Sequence, residues 1–275
     1  MSTSPVLVVG GTGQVGSAVL RALAAAGRPG RSAGRGGEVR LDHDHPGSYA
    51  AALDGVEAMF VSVPDRPDAA EVEGRLLTAA EHAGVRRVVK LSAASAGWEP
   101  PRSFGVSHRR AEEQLRSSDV AWTILRPTVF QETIALFCED AAKGRMLTPR
   151  CRSAVAFVAV DDVAAVAARA LIDDDLAGQT LELTGPAALG FGDIAHQVGT
   201  ILGRRVRHIG LPHAIARRAL PRAAGMPPWL ANEIVDLFGG LDAGLQRHVT
   251  DDVERVLERQ AFPLDGRLAE LLGWG

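Results

Sequence analysis

The chain is short of several residue types that announce a function. Among 275 residues there is one tyrosine, Tyr49, and there are two lysines, Lys90 and Lys143, so 28 of the 30 basic side chains are arginine. Cys138 and Cys151 are the only cysteines and have no metal-ligand spacing, which excludes a disulfide framework or a zinc cluster and points to a reducing compartment. No apolar run approaches the roughly 20 residues of a membrane span, and Met1 to Pro5 is short and polar. Neither a membrane segment nor a signal peptide is therefore expected, and a cytoplasmic location is. A formal charge of −3 sets up no field to gather nucleic acid or a membrane surface. The expected partner is a small-molecule substrate, the expected state a monomer or homodimer.

What is present is concentrated near the start, in PVLVVGGTGQVGSAVLRALAAAG, Pro5 to Gly27. Val6 to Val9 is a β-branched run too short for a helix, which reads as a buried parallel strand. Gly10, Gly13 and Gly16 follow, and from Val15 the apolar residues recur at helical spacing until Gly27. Glycines let the backbone turn sharply and approach a pyrophosphate, and the helix N-terminus supplies free N–H donors and positive dipole. Gly10, Thr12, Gly13, Gln14, Val15 and Gly16 are thus expected to hold a dinucleotide. About 20 residues further on, an acidic residue would read a ribose hydroxyl and an arginine a 2′-phosphate. Gly34 and Arg35 stand there with no acid, so NADP(H) is expected, with NAD(H) the lesser choice.

Strands and helices then alternate. Strands are predicted at Glu38–Leu41, Ala58–Val63, Val85–Leu91, Ala121–Leu125, Val155–Val160 and Gln179–Leu183. Helices are predicted at Pro46–Leu53, from Asp68 to Ala83, Phe104–Ser117, Val129–Lys143 and Val163–Leu171, the last capped by Asp161 or Asp162. This is an α/β chain with a Rossmann-type doubly wound parallel sheet over residues 1–184, and a smaller C-terminal α/β substrate lobe over 185–275. Val63, Pro64, Leu91 and Pro127, at strand ends, are expected to line the cofactor, with Asp42 facing the adenine. The run Asp42-His43-Asp44-His45 reads as turn and cap residues, so no metal is expected. Six arginines between Arg204 and Arg222 read as a solvated helix face.

The motifs GGTGQVG (Gly10 to Gly16), VRRVVKLSAAS (Val85 to Ser95), HRRAEEQL (His108 to Leu115), WTILRPTVFQE (Trp122 to Glu132), FVAVDDVAAVA (Phe157 to Ala167) and LGRRVRHI (Leu202 to Ile209) together resemble the NmrA-like branch of the atypical short-chain dehydrogenases. The strand-end segments and Gly225-Met226-Pro227 look most like its ergot-alkaloid-type reductases, which reduce a cyclic iminium with NADPH. The resemblance implies a Rossmann domain and a substrate lobe. Ordinary short-chain dehydrogenases carry a Tyr-x-x-x-Lys pair on the helix after the fifth strand; here Phe104 and His108 take those places. Without the tyrosine proton, an electron-poor C=N or a conjugated C=C or quinone is a better acceptor than a simple ketone. His108, as an acid titrating near neutrality or a ribose contact, and Ser92 are the candidate catalytic residues. Trp98, Phe104, Phe130 and Trp229 are the candidate substrate walls. The competing functions are a non-catalytic NADP-binding redox sensor with a protein partner, and a redox-neutral isomerase or cyclase.

Overall fold

The computed structural model describes residues 6–274. Strand β1 (Val6–Val9), fully buried, leads into helix α1 (Gln14–Ala25). Then come β2 (Gly30–Gly34), β3 (Val39–Arg40), α2 (Tyr49–Leu53), β4 (Ala58–Val61), α3 (Ala69–His82) and β5 (Arg87–Leu91). The remaining elements of the first layer are α4 (Gly105–Arg116), β6 (Ala121–Pro127), α6 (Val160–Ile172) and β8 (Gln179–Leu183). Seven strands pair in the order β3-β2-β1-β4-β5-β6-β8, and every pairing is parallel. The order reverses between β1 and β4, and ligands of such sheets bind at the carboxyl edge of that switch point. The expected Rossmann-type architecture is the observed one.

β2, composed of Gly-Arg-Ser-Ala-Gly, makes a strand despite its poor propensity because it pairs with β1 on one side and β3 on the other, in a place with little room for larger residues. A Cβ on Gly11 would lie 2.8 Å from the Cβ of Ser32, and one on Gly37 would lie 2.7 Å from the Ser32 carbonyl oxygen. Tertiary crowding here overrides local preference.

Three sequence expectations are corrected. The helix predicted over Val129–Lys143 is broken into a 3₁₀ turn (Gln131–Thr133), the four-residue α5 (Ile134–Phe137) and a second 3₁₀ turn (Ala141–Lys143). Its first residues are held extended, since Val129 N–H donates to the Gln246 side chain and Gln131 N–H to the Val158 carbonyl. The strand predicted over Val155–Val160 is reduced to isolated bridges at Val155 and Val158. Helix α6 begins at Val160, so Asp161 and Asp162 lie in its first turn instead of capping it. The Asp162 carboxylate, fully buried, accepts from Phe262 N–H and Arg259 and ties the C-terminal segment to the first layer.

A strand that the sequence reading overlooked, β7 (Arg145–Pro149), pairs in parallel with β9 (Arg207–Leu211) to form a separate two-stranded sheet. Helices α7 (Phe191–Ile201), α8 (His213–Ala223), α9 (Pro228–Asp242) and α11 (Leu268–Leu271) complete the second layer. Its core joins Ile134, Met146 and Phe157 to Phe191 and Phe238. Phe191 stacks on Phe238 and meets Phe157 edge-on. The second layer therefore recruits chain well before residue 185. In return, α10 (Asp252–Leu257) packs Val253 and Val256 into the first-layer core beside α6.

Trp98 belongs to this seam. It is 6% exposed, and a Cβ on Gly240 of α9 would fall 2.1 Å from its ring. Overpacking costs about 1–3 kcal/mol. Gly240→Ala is thus expected to lower the unfolding free energy by that amount, read as a lower urea midpoint with an unchanged slope, whereas an unaltered midpoint would show that the seam can yield.

Candidate active site

The parallel sheet gathers the expected cofactor residues at its carboxyl edge. Gly10, Arg35, Val63, Leu91 and Pro127 end or follow β1, β2, β4, β5 and β6 in neighbouring register. Gly10 has φ 78°, and a Cβ there would lie 2.6 Å from the Ser62 carbonyl oxygen. A Cβ on Gly16 would fall 2.2 Å from the Gly10 carbonyl oxygen, so only glycine lets α1 approach β1 this closely. Thr12, Gly13 and Gln14 are exposed at the start of α1, with no side-chain cap and no acid in the first turn. Val15 is buried beneath them in the core. This turn could receive a pyrophosphate on unpaired backbone donors.

Arg35 is exposed just past β2. The acid thought absent beside β2 is present in space. The Gly36–Gly37 turn brings Glu38 back so that its Oε1 accepts from the Ser32 hydroxyl at 3.2 Å and its N–H donates to the same oxygen. A search at fixed spacing misses it because the turn, not the strand, places it. Asp42 serves its own loop. One carboxylate oxygen accepts from Asp44 N–H and the other faces His45 Nδ1 at 3.1 Å, so both oxygens of the expected adenine contact are engaged. His43 contacts the Tyr49 hydroxyl. Val63 is half-buried and Pro64 exposed, while Pro127 is buried in its pairing with Leu183.

Helix α4 carries the charge centre. Glu112, wholly buried, receives the Arg126 guanidinium in a two-point contact of 2.9 and 2.6 Å, the Ser92 hydroxyl at 2.5 Å and Arg116 at 3.0 Å. Burial pushes its carboxyl upward, but bonds from Arg126 and Ser92 and the two arginine charges outweigh that and hold it below the usual range. Ser92 is 3% exposed, and its proton is committed to Glu112. The hydroxyl can therefore accept a hydrogen bond, while its donor is engaged by Glu112.

One turn earlier, His108 is half-buried with Nδ1 3.3 Å from Lys90 Nζ. Lys90, on β5 and wholly buried, also donates to Glu73 Oε1 of α3 at 2.6 Å and to the Leu91 carbonyl. Burial, and secondarily the lysine charge, push the His108 pKa well below the ordinary imidazole value. The expectation that His108 titrates near neutral pH is therefore corrected, since the ring is neutral there. The fold turns both Lys90 and Arg126 toward α4.

The candidate substrate walls separate. Phe104, which precedes α4, and Trp229, in the first turn of α9, share a cleft of about 190 Å³ with Asp65, Arg66 and Glu233. Arg66 is paired with Asp44 and Asp68. Trp98 is excluded from that cleft by its burial against Gly240, which corrects the expectation. Phe130 packs instead on the core shared by α1 and α6. Among the described residues, no three His, Cys, Asp or Glu side chains group as a metal site, and no helix is long and apolar enough to cross a membrane.

A seven-stranded parallel sheet with a glycine turn at its switch point defines a dinucleotide-binding Rossmann protein. Residues 10–174 match the NAD(P)H-binding family model, and the chain belongs to that family. It is 31% identical over 269 residues to an NAD(P)H azoreductase of Xenophilus azovorans, covering 93% of this chain and 94% of the relative. It is 33% identical over 279 residues to a (4-alkanoyl-5-oxo-2,5-dihydrofuran-3-yl)methyl phosphate reductase of Streptomyces griseus subsp. griseus, covering 96% and 97%. The fold matches an NADPH-dependent quinone oxidoreductase of Escherichia coli solved with NADPH, at TM-score 0.85 and 22% identity over 97% of this chain and 99% of the other. The protein is an NAD(P)H-dependent oxidoreductase, and the expected NADP(H) is among the nucleotides its family binds.

Glu112→Gln should cost about 3–5 kcal/mol at neutral pH, because it strands buried guanidinium charge. The folded carboxyl lies below its ordinary 4.5, so this contribution is complete above about that pH and fades as pH falls through the lowered folded value. Urea titrations of both proteins should converge in acid; a gap constant with pH would mean that the carboxylate charge is irrelevant.

Proposed function

We propose that the protein is an NADPH-dependent reductase that transfers hydride to an electron-poor C=N, conjugated C=C or quinone in a small aromatic or polycyclic molecule. The observation that carries this reading is the pairing of a cofactor turn with an α4 that has Phe104 and His108 where a tyrosine and lysine would activate a ketone. No tyrosine substitutes for the missing one, since Tyr49 is buried in α2 beside His43. A positioned acid is worth roughly 10²–10⁴ in rate, or about 3–5 kcal/mol of barrier. A simple ketone forfeits that here, whereas hydride neutralises an iminium and leaves a delocalised anion on a quinone or enone. The names of the dihydrofuranyl phosphate reductase and the quinone oxidoreductase support this class of acceptor, and that of the azoreductase supports a conjugated, electron-poor acceptor more broadly. The segments that resemble ergot-type reductases favour an iminium within it.

NADPH, when bound, supplies the hydride from its nicotinamide ring. Gly10 to Gly16 receive the pyrophosphate, Arg35 the 2′-phosphate, and Phe104 and Trp229 flank the acceptor. With a quinone or enone, the neutral His108 donates a hydrogen bond to the negative charge developing on oxygen and water supplies the proton that completes the product; an iminium becomes a neutral amine on receiving hydride and needs neither.

The test is NADPH labelled with deuterium at the transferable position, incubated with iminium, quinone and enone acceptors. Label in the reduced product is expected, whereas product without label would establish redox-neutral chemistry. Arg35→Ala should weaken NADPH at least tenfold, about 1.4 kcal/mol, and leave NADH nearly unchanged. Calorimetric titration with both nucleotides measures this, and equal losses would refute the 2′-phosphate contact.

A further inference from the structure

The position of the missing lysine on α4 is occupied by a histidine, yet an ammonium group is present beside it. It comes from β5. Lys90 Nζ has three protons, and three acceptors stand around it: Glu73 Oε1 at 2.6 Å, the Leu91 carbonyl at 3.2 Å and His108 Nδ1 at 3.3 Å. An ammonium donates and cannot accept, so the ring nitrogen facing it must offer its lone pair. Nδ1 is then unprotonated, and in a neutral ring the proton resides on Nε2. Nε2 makes no hydrogen bond to any described residue.

We propose that Lys90 and Glu73 are positioning residues that lock His108 in its Nε2–H form, making the ring a fixed hydrogen-bond donor to the acceptor. The role of the donor rests on the reductase reading above; the lock itself does not. Glu73 is 4% exposed and anchors the ammonium from α3, while Lys90 spans the distance to α4 without exposure. Glu112 also lies near Glu73, but its charge is matched by Arg126 and Arg116. The assembly thus delivers directional polarity: the ring's only N–H is the one it donates, and the lysine protons are shared among Glu73, the Leu91 carbonyl and His108. A hydrogen bond aimed at developing negative charge requires no reorganisation during reaction. The device is therefore suited to an acceptor whose anion is already delocalised.

The experiment is two-bond ¹H–¹⁵N correlation spectroscopy of the NADPH-saturated protein labelled at its histidine rings, with His108→Asn assigning the signal. Wild type should show Nε2–H and bare Nδ1 across neutral pH; an Nδ1–H ring would overturn the proposal. Lys90→Met should give a mixture of tautomers and move the ring's titration up toward 6.5. An unchanged signal would also overturn it. Should Lys90→Met fail to fold, Glu73→Gln decides. Without the carboxylate that anchors it from α3, the ammonium is no longer held facing Nδ1, so the ring should show a mixture of tautomers. An unmixed Nε2–H signal in that variant would overturn the proposal. With 1,4-naphthoquinone as acceptor, Lys90→Met should lose at least tenfold in kcat while NADPH affinity stays within threefold; the reverse split would make His108 a cofactor contact. Absence of turnover in wild type would sink the reductase reading and leave the tautomer result standing.

Discussion

The close approach of α1 to the end of β1 is the constraint on which the rest of this structure depends. With the place for a Cβ on Gly16 only 2.2 Å from the Gly10 carbonyl, the helix start lies against the strand end. That contact points the unpaired N–H groups of α1 into the switch point between β1 and β4. It also crowds the next strand, where Ser32 and Ala33 stand level with Val8 and Val9 of β1. The cost is a β2 of low intrinsic propensity, sustained by pairing on both sides.

A second constraint operates across the sheet, where α4 must sit against β5 and β6 with charged groups facing inward. Two buried carboxylates make this possible. Glu112 binds Ser92, Arg126 and Arg116, and Glu73 binds Lys90. Such pairs contribute little net stability compared with apolar replacements, but a lone member is strongly unfavourable, so they specify an arrangement more than they strengthen it. The arrangement specified is the placement of His108 beside Lys90 at the end of β5. Stability of the helix and geometry of the site are thus set by the same side chains.

The two layers are interleaved more deeply than a boundary at residue 184 suggests. β7 leaves the first layer to pair with β9, and α10 returns from the second to pack on α6. Asp162 and Gln131 bind the backbone of Phe262, closing the exchange with polar contacts. Trp98 is absorbed into this seam for the same reason that it looked like a pocket wall. A large flat ring between two layers serves either purpose, and the glycine at 240 decides for packing.

Local pattern was enough for everything that depends on neighbours in the chain. The run Val6–Val9, the glycine turn, the helical spacing after Val15 and the strand–helix alternation through Leu183 announced a doubly wound parallel sheet and its nucleotide edge. The absence of tyrosine and lysine from positions 104 and 108 was equally plain. What only the tertiary structure decided are the meetings of residues far apart in sequence: Lys90 with Glu73 and His108, Ser92 with Glu112, Glu38 folded back on Ser32, and Arg145–Pro149 beside Arg207–Leu211. The physical reason is that periodicity records which face of an element is apolar, whereas pairing of buried charges and short strands depends on which faces the packing brings together. A lysine next to a strand end has no assigned direction until a helix with a carboxylate is laid across it.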